Sequence, residues 1–61
     1  MEKVNLEKLV EGDVVYYIAD HLEKIPENAD RGIVTTIKGQ GVWVRYRGPQ
    51  GNLTPLKYLY R

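Results

Sequence analysis

Trp43, Arg45 and Arg47 stand at every second position of the run Gly-Val-Trp-Val-Arg-Tyr-Arg. Alternate side chains of an extended chain share a face, so an indole and two guanidinium groups project together. Two kinds of partner suit that set. Nucleic acid would take the arginines on its phosphates and the ring as a stacking platform. A protein would meet the tryptophan as a rigid anchor and the arginines as bidentate donors to carboxylates. The plain structural alternative is an indole that covers an open end of the fold, beside arginines that are solvated or paired with glutamates. Arg31, Lys57 and Tyr58 extend the candidate binding set, and His21 joins it from a long loop. Asp20 beside His21 can orient an imidazole, but a loop histidine also serves simply to cap or pack its own loop.

Catalysis is a poor fit to the same residues. A nucleophile, a base and an oxyanion site must share one pocket. The chain has no Cys and no Ser, which leaves Thr35, Thr36 and Thr54 as the hydroxyl nucleophiles besides tyrosine. The acids are scattered, not paired. One histidine and no cysteine exclude His-rich and thiolate metal sites. Gly39/Gly41 and Gly48/Gly51 are turn glycines, because neither pair opens a helix after a strand as a phosphate cradle must. The expectation is a binding protein with no enzyme activity, no cofactor and no metal.

Charge adds a second pointer. The formal net charge is +1, yet all eight acids lie in residues 1–30, against Lys3, Lys8 and Lys24 alone. Residues 31–61 hold no acid and carry Arg31, Lys38, Arg45, Arg47, Lys57 and Arg61. The halves therefore carry −5 and +6. Such asymmetry either meets an anionic partner or is neutralised when the halves pack together.

The elements that position these residues must be short. Sixty-one residues make one domain, residues 1–61, with a thin core. Hydrophobic residues at 43% and charged ones at 28% match a soluble globular chain. No apolar run approaches a membrane span or a signal peptide. Asn5 is a good N-cap, and Leu6, Leu9 and Val10 follow at helical spacing, which predicts one helical turn closed by Gly12. Residues 14–18, Val-Val-Tyr-Tyr-Ile, predict a first strand. Residues 19–30 read as a long loop of the kind that often binds. Residues 31–37 and 41–47 predict a hairpin, with a glycine-bearing turn between them. Asn52, Leu53 and Thr54 make a fourth strand. Pro55 suits the start of a helical turn through Lys57 and Tyr58, and Tyr58, Leu59 and Tyr60 can instead form a last strand. Short strands with glycine turns predict an all-β, five-stranded, partly open barrel. Its expected core is Leu9, Val15, Tyr17, Ile33, Val34, Ile37, Val42, Val44, Leu53, Leu56 and Leu59, with Trp43, Arg45 and Arg47 facing water.

One ordered set of residues spans most of the chain: Gly12-Asp13-x-Val15-x-Tyr17, His21, Gly32-x-Val34, Val42-x-Val44-Arg45-Tyr46, and Thr54-Pro55 ahead of Leu59-Tyr60. This resembles a group of small phage and prophage proteins with an SH3-like barrel. The resemblance covers about residues 11–60. It departs from the group at Ala19, where proline is usual, and in the acidic stretch after His21. It implies an SH3-like fold, a phage-like origin and a setting in the bacterial host cytoplasm. The function expected is that of an accessory protein docking on a host or phage protein. The alternative is a small nucleic-acid binder using the basic half. The oligomeric expectation is a monomer or a weak homodimer, with no membrane association.

Overall fold

Asn5 opens the first ordered element. Its side-chain oxygen accepts from the Glu7 backbone N–H at 3.0 Å, and the chain makes a single 3-10 turn over Leu6–Lys8. The asparagine satisfies a backbone donor that has no partner inside the turn. The computed structural model describes the whole chain, Met1–Arg61. Five strands follow the turn: β1 (Val14–Tyr17), β2 (Asp30–Lys38), β3 (Gly41–Arg45), β4 (Asn52–Thr54) and β5 (Leu59–Tyr60). One further turn, Pro26–Asn28, lies in the long β1–β2 connection, and another, Leu56–Tyr58, leads into β5. The two readings of the C-terminal segment are thus both realised, one after the other. Pro55, at φ −60°, caps the turn, and Leu59 and Tyr60 then pair with Tyr17 and Tyr16.

All pairings are antiparallel, in the order β4-β3-β2-β1-β5. The sheet curls into a half-barrel with extents of 28 × 26 × 16 Å. The protein is all-β, with no long helix, consistent with a small SH3-like barrel.

The longest strand carries an irregularity that its sequence requires. Val34 and Ile37 both face the interior, three residues apart, which a regular strand of period two does not allow. The register supplies the extra residue: Val34 pairs with Val44, Thr36 with Trp43 and Ile37 with Val42, so Thr35 and Thr36 together oppose Trp43. This β-bulge bends the strand and resets its alternation. The Thr35 hydroxyl donates to the Trp43 carbonyl oxygen at 3.2 Å. Ile33, next to Val34, is left on the outer face and does not join the core cluster.

The core consists of Val4, Leu9, Val15, Val34, Val42, Val44 and Leu59, with Leu6, Tyr17, Ile37, Tyr46 and Leu56 packed against it. Ile18 and Tyr60 are also buried. Two expected core members are corrected. Leu53 is 62% exposed, because it pairs with Trp43 and so lies on the outer face, while its neighbour Thr54 turns in. Ile33 is displaced by the parity of Val34. Val4, Ile18 and Tyr60 enter the core in their place. Ile18 follows β1, where its N–H donates to the Tyr58 carbonyl oxygen at 3.0 Å and ties the chain to the last turn.

Tyr60 is buried because the N-terminal segment lies along β5. Lys3 bridges to Tyr60. The Val4 N–H donates to Leu59 at 3.1 Å, and the Arg61 N–H donates to Glu2 at 2.7 Å. One end of the sheet is therefore covered by the chain's own residues 2–4. The other end, β4, has no strand on its outer side.

Candidate binding groove

Gly32 shapes the main concavity of the molecule. It lies in β2 opposite Val15. A Cβ placed there would collide with Val44 Cγ1 and approach Tyr46 Cδ1 to 2.9 Å. The missing side chain lets the Tyr46 ring lie down on the inner face of the sheet. The Tyr17 ring meets it edge-on, with centroids 6.0 Å apart. Tyr58 meets Tyr17 in turn at 5.8 Å, again edge to face, an arrangement that ring quadrupoles favour. Three tyrosines thus form a connected wall at the open mouth of the half-barrel.

An open groove of about 890 Å³ runs over Tyr17 and Tyr46. Residues 29–31 form one side and residues 52–55 the other, with Tyr17, Tyr46 and Arg47 completing it. The first side is held firmly. The Lys24 ammonium donates to the carbonyl oxygens of Ala19, Asp20 and Leu22 at 3.0, 2.9 and 2.6 Å. Asn28 Nδ2 donates to the Glu23 carbonyl oxygen at 2.9 Å. These bonds draw the long loop into a fixed shape ahead of β2.

Inside the groove the polar groups form a chain. Thr54 Oγ1 donates to the Asn52 carbonyl oxygen at 3.1 Å. Its single proton is then committed, so at 3.0 Å it accepts from the Tyr46 hydroxyl. Burial holds the Tyr46 phenol above its ordinary value of 10.0. The nearby Tyr17 and Asp30 add to that shift. No buried side-chain N or O atom lacks a hydrogen-bond partner. The groove therefore offers apolar ring surface, a pre-arranged hydroxyl chain, and the charged groups of Arg31, Arg47 and Asp30 at its rim.

The residues singled out in the sequence separate into three places. Arg31 and Arg47 meet at the groove. Trp43 and Arg45 do not. The alternation that would have placed Arg47 beside them stops where β3 ends, at Arg45, and the chain then turns toward the groove. Trp43 lies on the outer face, opposite the valines, and is half-buried there. Its ring covers Gly41, where a Cβ would come within 2.8 Å of Cζ3. Arg45 is exposed opposite Ile33. Tyr58 reaches the site through Tyr17, with Lys57 Nζ 5.0 Å above the Tyr58 ring. His21 is exposed in the loop and does not line the groove. Sequence reasoning missed Tyr46, Asp30, Asn52, Thr54 and Pro55 as groove residues, and took Tyr17 for core alone. The available signal was a glycine inside a strand, which marks a close approach of another group.

The only ion pair in the protein joins Arg61 to Asp13 at 2.9 Å. Arg31, Arg45 and Arg47 have no carboxylate partner. No protein-family model, curated protein or solved structure matches this chain.

Proposed function

We propose that this chain is a non-catalytic binding module that docks a segment of another protein in the groove. The observation that carries this reading is the combination at one place: an aromatic floor of Tyr17 and Tyr46 and two arginines without intramolecular partners. Aromatic rings and arginines are the residue types that dominate binding energy at protein interfaces. Two of the hydroxyls at the groove, those of Thr54 and Tyr46, are hydrogen-bonded to each other. The resemblance to small phage and prophage proteins extends the reading to an accessory protein of the bacterial cytoplasm, monomeric or weakly dimeric, whose partner is a host or phage protein.

Nucleic acid fits the groove less well. The cations do not form a track. Arg31 and Arg47 are at the groove, Arg45 is on the outer face, Lys57 sits over Tyr58, and Arg61 is paired with Asp13. The half-buried Trp43 lies against Gly41, apart from the groove arginines.

Retention from nuclease-treated bacterial lysate tests the proposal with three forms of the protein. Wild type and Arg45→Ala should retain the same protein, and the double variant Arg31→Ala/Arg47→Ala should lose it by about tenfold or more. Equal retention by the groove variant, or retention that nuclease abolishes, overturns the reading.

A further inference from the structure

The two ends of the sheet are treated differently. Residues 2–4 cover β5 with backbone hydrogen bonds. The outer edge of β4 is covered by nothing, and it borders the groove: Asn52, Leu53, Thr54 and then Pro55 all line it. Successive side chains of a strand point to opposite faces. Three consecutive residues can line one groove only if the strand presents its edge there.

Side chains on each side of that edge favour a particular ligand. Lining the groove are the rings of Tyr17 and Tyr46, with Arg31 and Arg47, neither of them ion-paired, against the single carboxylate of Asp30. On the outer side Leu53 is 62% exposed beside Trp43. A strand laid along β4 would send alternate residues to these two environments. Residues facing the groove meet guanidinium groups, and residues facing outward meet leucine and tryptophan.

Resting on the groove being the binding site, we infer that its ligand is an extended protein segment alternating acidic and apolar residues, which adds to the free edge of β4 as a further strand. Main-chain pairing supplies the affinity in this mode, and the side-chain environments supply the specificity. Arg31 and Arg47 take the carboxylates, and Leu53 packs on the apolar side chains.

The test titrates the full chain with two blocked hexapeptides, one of alternating Val and Glu and one of alternating Val and Gln, followed by amide shifts and hydrogen exchange. The Val/Glu peptide should shift Arg31, Arg47 and residues 52–54, and should slow exchange at β4. The Val/Gln peptide should bind roughly five- to tenfold more weakly. Arg47→Gln, at an exposed turn position, should reduce that difference without altering the unliganded spectrum elsewhere. Equal binding of the two peptides overturns the acidic ligand and leaves the groove reading standing. Shifts confined to Trp43 and Arg45 overturn both. Groove shifts produced by a thymidine dodecamer but not by the Val/Glu peptide replace the protein ligand with nucleic acid. Slow tumbling of the unliganded protein, with protected β4 amides, assigns the edge to a second copy of the chain instead.

Discussion

At the residue scale, the site depends on one absence and one hydroxyl chain. Gly32 leaves the space that Tyr46 occupies, and Thr54 fixes the phenol by accepting its hydrogen bond. Alternation puts Tyr46 on the face of Val42 and Val44, but does not show that this face opens into a groove. Arg31 and Arg47 were legible as cations in a half of the chain that has no acids, to be met by a partner or by the acidic half. Their meeting was not, because it depends on the chain turning after Arg45. Burial of the Tyr46 phenol makes a pH prediction. Folding raises the Tyr46 pKa, so the unfolded chain loses this proton first. The associated stability is fully present below the unfolded value, near pH 10, and is lost as pH rises through the folded value. Tyr46→Phe removes the titration and one hydrogen bond, at a cost of about 0.5–1.5 kcal/mol at neutral pH. Above about pH 10 the wild-type urea midpoint should fall more steeply than that of the variant. Parallel curves across that range would mean that Tyr46 ionises as easily folded as unfolded.

At the element scale, most strands were readable and their interruptions were not. β-branched runs and glycine turns announced β1 to β4, and Asn5 and Pro55 announced two of the turns. The error over Ile33 and Leu53 comes from register. A pattern of period two names two faces but cannot say where an extra residue switches them. In β2 both Val34 and Ile37 are inside, and the bulge is what reconciles that three-residue spacing with a strand. The bulge yields a prediction of its own. Deleting Thr35 leaves Val34 opposite Val44, Thr36 opposite Trp43 and Ile37 opposite Val42, a regular ladder with every inward residue still inward. The loss is the Thr35 hydroxyl bond to Trp43 and the local twist, and should amount to about 1–2 kcal/mol. Deleting Ile33 instead moves either Gly32 or Val34 to the wrong face, and the chain should not fold. Urea unfolding followed by Trp43 fluorescence compares the two. A Thr35 deletion as damaging as the Ile33 deletion would show that the bulge itself is essential to the barrel.

At the scale of the whole molecule, the charge division of the sequence survives folding largely unneutralised. Acids occupy residues 1–30 and bases dominate 31–61, yet a single ion pair, Asp13 with Arg61, joins the two halves. Glu11 is used on backbone, accepting from the Ile37 N–H at 3.2 Å. Lys24 is used on loop carbonyls and Lys3 on the Lys57 carbonyl oxygen. What holds the barrel together is therefore the aliphatic core and the sheet, with residues 2–4 sealing one end. The Asp13–Arg61 pair is partly exposed, with side-chain exposures of 27% and 44%, and such pairs are worth about 0–1 kcal/mol. Raising salt from about 0.05 M to about 0.5 M shortens the screening length from roughly 14 Å to roughly 4 Å. If the core carries the fold, that change should lower unfolding free energy by less than about 1 kcal/mol, and Arg61→Ala should account for most of whatever is lost. Binding at the groove should respond in the opposite proportion, because the Arg31 and Arg47 charges are free to be screened from an acidic ligand. Urea midpoints and ligand titrations measured at the same two salt concentrations separate the two effects. A stability loss of about 2 kcal/mol or more would mean that the oppositely charged halves hold each other, and that the arginines at the groove are less free than their geometry indicates.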